Sequence, residues 1–293
     1  MAQYKVIALS VSGRKHKIYK ADDIVDETCF NKLVVDALIK GKFIEPYNEP
    51  PIEPIEPTPC EGPFKIAICT AVWKRPEIFK MFADGFKKLG AGIELIVAGS
   101  EGNTSRELVL SCVPEAHYIE IPNDPLATKM NATTLKARAI GADYVICVGS
   151  DDIITPELLN VYVEYMRQGY DYIAVLDWYF YDTVTKKAAY WGGYIDGRKG
   201  HTCGAGRVIS SELMEKWSWQ PWEVKDSKVL DNSMQNKLKR TQHSAVTFSL
   251  KEKGVFAIDV KSSTNMTPFA LWPNTKFIDV KQIKKHFPYV CAE

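Results

Sequence analysis

Two adjacent aspartates, Asp151 and Asp152, are the residues of this sequence best suited to chemistry. They follow the apolar run Tyr144–Val148, and a helix is predicted to begin at Pro156. Carboxylate oxygens are the ligands that Mg²⁺ and Mn²⁺ prefer, and such an ion would neutralise a diphosphate leaving group. Aspartates ahead of a helix also serve as helix caps, so the pair alone leaves both interpretations open.

The elements that must position this pair alternate between strand and helix from Phe64 onward. Apolar runs predict the strands, and amphipathic segments between them predict the helices. The predicted strands are Lys65–Thr70, Ile93–Ala98, His117–Ile121, Tyr144–Val148 and Tyr172–Leu176, and the helices are Arg75–Leu89, Ser105–Cys112, Pro125–Ile140 and Pro156–Gln168. This order is typical of an α/β domain with a mostly parallel sheet and helices on both faces. In such a sheet ligands bind beyond the carboxyl ends of the strands, where the aspartate pair lies.

A proline-rich stretch separates a small N-terminal module from this domain. Residues 46–63 carry prolines too densely for a helix or a sheet, so we expect an extended linker there. The predicted divisions are 1–45 for a small α+β module, 46–63 for the linker and 64–293 for the large domain. Within the module we expect one strand over residues 4–11, a second strand pair and a helix ending at Gly41. The module serves docking or oligomerisation, or it stabilises the chain as a cap; the sequence leaves these alternatives open.

Composition is that of an ordinary globular protein. The 293 residues include 37 basic and 36 acidic side chains, so no overall field favours nucleic acid or a membrane surface. No apolar run reaches the roughly 20 residues that span a bilayer, and the N-terminus lacks the layout of a signal peptide. The seven cysteines include no CxxC pair. We therefore expect no membrane insertion and a cytoplasmic location.

Three motifs in order resemble the glycosyltransferases of the GT-A fold, particularly the family-2 type. The first strand runs into Thr70 and Arg75 in TAVWKRP, and the segment KMNATTLKAR resembles the one that precedes the metal-binding strand. The family's Asp-x-Asp motif falls on the three residues that end at Asp151, with Gly149 in place of the first aspartate. The resemblance implies the GT-A fold, a Rossmann-like α/β fold, with Mn²⁺ or Mg²⁺ held by Asp151 and Asp152.

The resemblance also assigns roles to single residues. It implies a nucleotide-sugar donor bound by Thr70, Arg75, Ser100, Glu101, Lys129, Asn131, Ser150, Asp177 and Arg207. Inverting sugar transfer needs a base for the acceptor hydroxyl, and Asp231 in KVLDNSMQNKL is the best match to the family's base. A helix N-cap is the other interpretation of Asp231, and a structural aspartate is the other interpretation of Asp177.

The predicted function is metal-dependent transfer of a sugar, from a UDP-sugar in the first instance, to an acceptor hydroxyl. The acceptor is a glycan, a protein or a hydroxymethylated base in phage DNA, because the chain resembles stand-alone transferases of phage genomes; the location would then be the host cytoplasm. A rim for DNA phosphates would consist of Lys225, Lys228, Lys237, Lys239 and Arg240 together with the C-terminal run KQIKK, and these residues equally suit a solvated helix face. The alternative, which the missing aspartate keeps open, is a non-catalytic carbohydrate- or nucleotide-binding virion or interaction protein.

Aromatic residues crowd the region from Trp178 to Trp222. Sugar and nucleobase rings both stack on such side chains. Because large aromatics bury well, we expect most of them in the core and roughly one or two in an acceptor groove.

Overall fold

The chain folds into two compact units, Met1–Ile52 and Glu53–Glu293. The computed structural model describes residues 2–8, 10–14, 17–47, 55–223, 230–263 and 273–291. None of the helices in these ranges is long and apolar enough to span a bilayer.

The N-terminal unit is a small α+β module. It contains β1 (Gln3–Val6), β2 (Ser10–Ser12), β3 (Ile18–Lys20), β4 (Ile24–Asp26), α1 (Lys32–Lys40) and β5 (Ile44–Tyr47). β1 lies between β4 and β5 in an antiparallel sheet, and β2 pairs with β3. Its small core is built around Val6, Val25, Phe30 and Ile44, all of them buried.

Two features of this unit differ from the expected layout. The single strand expected over residues 4–11 is divided into β1 and β2, because the N–H groups of Ile7 and Ala8 both turn to the carbonyl of Phe43. The expected linker begins inside β5, where Pro46 lies opposite Tyr4. A proline fits there because β5 is the edge strand of the sheet. Residues 48–54 of the expected linker lie outside the described residues, and 55–63 have no regular secondary structure.

The large unit contains two sheets and eight α-helices in the described ranges. Its strands are β6 (Ile66–Ala71), β7 (Ile93–Gly99), β8 (His117–Glu120), β9 (Tyr144–Cys147), β10 (Asp152–Ile154), β11 (Tyr172–Val175), β12 (Trp178–Asp182), β13 (Lys187–Trp191), β14 (Arg207–Ser210), β15 (Ala245–Phe248), β16 (Ala257–Lys261) and β17 (Thr275–Ile278). Its helices are α2 (Pro76–Lys87), α3 (Asn103–Cys112), α4 (Leu126–Ala139), α5 (Pro156–Arg167), α6 (Ser211–Lys216), α7 (Leu230–Leu238), α8 (Leu250–Lys253) and α9 (Val280–His286).

The larger sheet has the strand order β15-β11-β14-β9-β6-β7-β8. β6, β7, β8 and β9 run parallel, and β14 is the antiparallel strand between β9 and β11. Alternate residues of β6 enter opposite cores: Ile66 and Ile68 pack with α2, α3 and α5, whereas Ala67 and Cys69 pack with α4, α6 and α7. This two-residue period places helices on both faces of the sheet. The predicted Rossmann-like α/β class is therefore confirmed.

The smaller sheet has the strand order β10-β16-β12-β13-β17. In its register Asp152 lies opposite Asp259, Asp259 lies beside Phe180, and Trp178 lies opposite Trp191. Paired residues of adjacent strands project from the same face. Aspartates and aromatic side chains therefore share one face of this sheet, which positions the site described below.

Candidate functional site

Two neighbouring cavities open on the large unit. The sheet-end cavity, about 230 Å³, lies where β6 and β9 end and is lined by residues that include Arg75, Gly149, Asp151, Trp222 and Leu230. The aromatic cavity, about 620 Å³, is lined by residues that include Trp178, Phe180, Trp191, Tyr194 and Asp259. Both are lined by Asp152, Gly204, Ala205, Asp231 and Lys261, so they share a wall. Volumes of about 300–1,000 Å³ are typical of small-ligand sites, and the aromatic cavity falls in that range.

Asp151 lies in the sheet-end cavity and is paired with Arg75. The Nη1 atom of Arg75 donates to Oδ2 of Asp151 across 2.6 Å, and both side chains are largely buried. The two residues come from different loops, one after β6 and the other after β9, which meet because these strands are parallel neighbours. The structure thus brings together two residues that the sequence assigned to the donor and the metal.

Asp152 begins β10 and lies on the wall between the cavities. Its Oδ2 atom accepts a hydrogen bond of 2.7 Å from the N–H of Gly149. Burial, together with the nearby charges of Asp259 and Asp151, raises the pKa of the Asp152 carboxyl well above its ordinary value. Asp152 is thus withdrawn from solvent and lies beside two other carboxyl groups.

Neither aspartate caps the following helix. The N-cap of α5 is Thr155, whose side chain accepts from the N–H of Leu158. The helix-cap interpretation of the pair is therefore wrong, because Thr155 already satisfies the first turn of α5.

Gly149 is required by the close approach of both carboxylates. A Cβ atom at this position would lie 2.5 Å from Oδ1 of Asp151 and 2.8 Å from Oδ2 of Asp152. Both distances are shorter than real Cβ contacts, so any side chain would push the carboxylates away. The glycine in place of the family's first aspartate therefore permits the geometry of the next two acidic residues.

Asp259 and Lys261, both on β16, are site residues that the sequence interpretation missed. The ammonium group of Lys261 lies 2.6 Å from Oδ2 of Asp259, and both side chains are largely buried. Burial and the charge of Asp151 raise the pKa of Asp259 to about 7, although Lys261 acts in the opposite direction. Burial lowers the pKa of Lys261, but Asp259 more than offsets this and raises it. The sequence did contain a signal for these two residues, because Asp259 and Lys261 alternate with apolar residues in a run that is typical of a strand.

The acidic cluster of Asp151, Asp152 and Asp259 fits a divalent cation that arrives with a diphosphate. Across the described part of the chain, no three acidic, histidine or cysteine side chains converge into a complete metal cage. Mg²⁺ is usually held by one or two carboxylates together with substrate phosphates, so a complete cage is not needed. Asp151 and Asp152 supply oxygens of the right type.

Asp231 lies on the shared wall, within the first turn of α7. Its Oδ1 atom is 3.2 Å from Nη1 of Arg207, and its side chain is 42% exposed, within reach of a ligand. A Cβ on Gly204 would lie 2.7 Å from Oδ2 of Asp231, so this glycine leaves room for the carboxylate. Asp231 follows Leu230 inside α7, so it does not occupy the cap position proposed as its structural role.

Arg207 acts on Asp231 from beneath the cavities. The side chain is 1% exposed, and its Nε and Nη2 groups have no hydrogen-bond partner within the described ranges. Burial lowers its pKa, but the charges of Tyr172 and Asp231 more than offset this and raise it. Arg207 is absent from the described lining of both cavities. In this structure Arg207 forms an ion pair with Asp231, and its contact with the donor stays a prediction.

The Asp177 carboxylate is engaged within the protein. Its Oδ1 atom accepts from the N–H of Leu250 at 2.6 Å, and its Oδ2 atom accepts from the hydroxyls of Tyr190, at 2.7 Å, and Ser249. The carboxylate is 2% exposed and joins the start of α8 to β13. These contacts fit the structural interpretation of Asp177, and its contact with donor-sugar hydroxyls stays a prediction.

Lys129 ties together the loops beyond the strand ends. Its ammonium group donates to the carbonyl of Val72 at 2.7 Å, to Ser100 at 2.8 Å and to Asn123 at 3.1 Å. Burial lowers the pKa of Lys129 to about 8, although the charge of Glu101 acts in the opposite direction. Lys129 is 1% exposed, so in this structure it positions the loops that were predicted to bind the donor.

Glu101 and Asn131 each fix a loop of the site. Oε2 of Glu101 accepts from the N–H of Lys74 at 2.8 Å, in the loop that carries Arg75. Asn131 makes two hydrogen bonds, of 2.8 and 3.2 Å, to the backbone of Trp222, which lines the sheet-end cavity. Both residues therefore position parts of the predicted donor site.

Thr70 and Ser150 are fully buried at the ends of two adjacent strands. Their hydroxyl groups have no hydrogen-bond partner in the portion of the chain that the structure describes. Neither hydroxyl lines the described cavities, so contact with a donor would require a shift of the surrounding loops.

The basic rim predicted for DNA is only partly described. Lys225 and Lys228 lie outside the described residues. Lys237 donates to the carbonyl of Gln220, while Lys239 and Arg240 are exposed beyond α7. In the described part, these residues do not line the two cavities that contain the acidic cluster.

Several solved structures align with part of this chain. Residues 1–349 of TarS from S. aureus align at a TM-score of 0.47 with 11% identity, over 65% of this chain and 62% of that one. The same protein in complex with UDP-GlcNAc aligns at 0.46 with 11% identity, over 62% of this chain and 58% of that one. The mannosyltransferase PcManGT from Pyrobaculum calidifontis, in complex with GDP-Man and Mn²⁺, aligns at 0.49 with 10% identity, over 73% and 61%.

These alignments span less than two thirds of each of those proteins. No family model matches the sequence, and no curated protein sequence matches it.

Proposed function

We propose that this protein transfers a sugar from a nucleotide-sugar donor to an acceptor hydroxyl. The observation that supports the proposal most is the position of Asp231. Its carboxylate lies on the wall shared by two cavities, and Arg207 holds it there from beneath. Sugar transfer needs a base between a donor and an acceptor, and Asp231 meets this requirement.

In this proposal the sheet-end cavity takes the nucleoside diphosphate part of the donor. Its place beyond the carboxyl ends of parallel strands is where such ligands bind in open α/β sheets. The guanidinium of Arg75 offers several donors in one plane, so it can contact a phosphate in addition to Asp151. Mn²⁺ or Mg²⁺, held by Asp151 and Asp152, would neutralise charge on the departing diphosphate. We take a UDP-sugar as the first donor to test.

The chemistry assigned to Asp231 is general base catalysis. The carboxylate accepts the proton of the acceptor hydroxyl while the hydroxyl oxygen forms a bond to the anomeric carbon of the sugar. The bond from that carbon to the diphosphate oxygen breaks at the same time, and the nucleoside diphosphate takes the electron pair. Attack from the side opposite the diphosphate inverts the anomeric centre. Arg207 keeps the carboxylate directed at the shared wall.

Release of nucleoside diphosphate tests the proposal. UDP-glucose, UDP-GlcNAc and GDP-mannose are each incubated with the full chain and Mn²⁺, and free UDP or GDP is measured. We expect slow release from at least one donor, with water as the acceptor. Asp231→Asn should lower this rate by about 100-fold or more without weakening nucleotide binding, because it removes only the base.

The matched control is Glu107→Gln, which removes a carboxylate from the exposed face of α3. It should release nucleotide at the wild-type rate. Failure of the wild-type chain to bind or turn over any donor would contradict the proposed function.

A further inference from the structure

The aromatic cavity has a two-part floor formed by one face of the smaller sheet. Asp152, Asp259 and Phe180 lie in one row across β10, β16 and β12. Trp178 lies two residues before Phe180 on the same strand, and Trp191 is its partner on β13. Since side chains two residues apart share a face, the register places a charged half beside an aromatic half. All five of these side chains line the cavity.

Four aromatic side chains line the other half of the cavity. Trp178, Phe180 and Trp191 are buried in the sheet, and Tyr194, half-buried, adds a further wall above them. The guanidinium of Arg198 lies 3.7 Å from the ring centre of Tyr194, which holds that side chain from one side. The cavity, at about 620 Å³, is larger than a single side chain or water cluster needs. Aromatic faces of this kind bind the C–H faces of sugar rings.

Two polar atoms in the floor lack partners. The indole Nε1–H of Trp178 and the Oδ1 atom of Asp259 are buried, and neither has a hydrogen-bond partner among the residues described. Trp178 is 3% exposed, so solvent does not satisfy its N–H group. A buried polar group without a partner is costly, and a ligand removes that cost. Indole only donates and a carboxylate only accepts, whereas a sugar hydroxyl does both.

The charges of the cavity disfavour a polyanion. Its described lining carries the carboxylates of Asp152, Asp231 and Asp259. Its cations are Arg198, which stacks on Tyr194, and Lys261, which is paired with Asp259. Nucleic acid binds through phosphate contacts with basic residues, and both cations of the described lining are already engaged within the protein. A neutral ligand with hydroxyl groups suits this lining better than a phosphate-bearing one.

We propose that the aromatic cavity is the acceptor site and that its acceptor is a neutral saccharide, rather than a base in DNA. The sugar ring stacks on Trp178 and Tyr194, its hydroxyls satisfy the indole N–H and Asp259, and the reacting hydroxyl faces Asp231. The proposal that this saccharide is an acceptor rests on the proposed function, whereas the proposal that the cavity binds a saccharide does not.

Saccharide binding to the full chain is the test. Neutral tetrasaccharides built from glucose, mannose, galactose or N-acetylglucosamine are titrated, and binding is followed by saturation-transfer NMR and tryptophan fluorescence. At least one should bind, with little dependence on salt. Trp178→Phe keeps a ring but removes the N–H, and should weaken that saccharide about fivefold to tenfold, the effect of one hydrogen bond.

Trp219→Phe is the matched control. Trp219 is also buried with an unpartnered Nε1 among the described residues, but it lines neither cavity. Its substitution should leave saccharide affinity unchanged. Tyr194→Leu, at a half-buried position, is the second variant; it should weaken the saccharide by removing a stacking surface even if Trp178→Phe fails to fold.

The proposal is overturned if no saccharide of the panel binds, or if both cavity variants bind as the wild type does. Binding of a short DNA duplex that falls steeply with salt and is lost in Tyr194→Leu also overturns it. UDP titration of the same preparation separates the two proposals. UDP binding without saccharide binding would contradict the acceptor assignment alone. Saccharide binding without any nucleotide binding would contradict the transferase proposal.

Discussion

Gly204→Ala tests whether the position of Asp231 matters to turnover. Gly204 has no backbone conformation that excludes alanine, since its φ does not fall in the positive range. The added Cβ would lie 2.7 Å from Oδ2 and 2.8 Å from Cγ of Asp231, and closer still to Oδ1. An ordinary contact begins at 3.4 Å. Because the half-exposed carboxylate is the movable partner, it should shift while the backbone stays in place.

The expected loss follows from the size of that shift. Restoring ordinary contact moves the carboxylate by about 1 Å, and a displacement of that size costs on the order of 100-fold in rate. The shift also strains the ion pair with Arg207, which lies 3.2 Å from Asp231. The free energy of unfolding should change little. Replacing glycine with alanine lowers the entropy of the unfolded chain, which stabilises the fold by about 0.4–1 kcal/mol and offsets the strain on the ion pair.

The assay is nucleotide release from the donor that the wild type turns over, with UDP or GDP affinity and thermal unfolding measured on the same sample. Gly197→Ala is the matched control, because a Cβ there meets nothing within 4 Å. It should behave as the wild type. Wild-type turnover in a folded Gly204→Ala protein would refute the role assigned to the position of Asp231.

Two further predictions concern the loops of the sheet-end cavity. Gly149→Ala places a Cβ 2.5 Å from Asp151 and 2.8 Å from Asp152, so calorimetry should show UDP affinity in Mn²⁺ falling about tenfold, with no change in EDTA. An equal loss in EDTA would count against the metal assignment. Lys129 has a pKa of about 8 in the folded protein against 10.5 for an ordinary lysine, so the unfolded chain binds its proton more tightly. The free energy of unfolding of the wild type, relative to that of Lys129→Met, should therefore rise by up to about 3 kcal/mol between pH 8 and 10.5 when both are unfolded in urea. A difference that does not change with pH would show that Lys129 is not buried in this way.

The sequence was a good guide to the larger sheet. Its central strands β6 and β9 are almost entirely apolar, and prolines mark the starts of α2 and α5. The predicted strands and helices from residue 65 to 168 agree with the structure to within two residues at each end. Local signals sufficed because parallel strands buried on both faces must be apolar along their whole length.

The smaller sheet was missed because its pairing is not local. β10 has three residues and pairs with β16 about one hundred residues later, so neither strand is recognisable alone. The register between them brings Asp259 beside Asp152, and no spacing in the sequence encodes that contact. Arg207 and Asp177 show the same limit. The sequence pattern places both residues near strand ends. Only the packing shows that the Arg207 guanidinium is paired with Asp231 and that the Asp177 carboxylate accepts hydrogen bonds within the protein.

The central claim is that Asp151 takes part in metal-assisted binding of a nucleoside diphosphate. Its most direct test is calorimetry of UDP, GDP, CDP and dTDP, each in Mn²⁺ and in EDTA, with the wild type, Asp151→Asn and the exposed control Glu107→Gln. We predict that at least one nucleotide binds, that Mn²⁺ strengthens its binding, and that Asp151→Asn alone removes this gain. Absence of binding by all four nucleotides, or an undiminished effect of Mn²⁺ in Asp151→Asn, would contradict the claim.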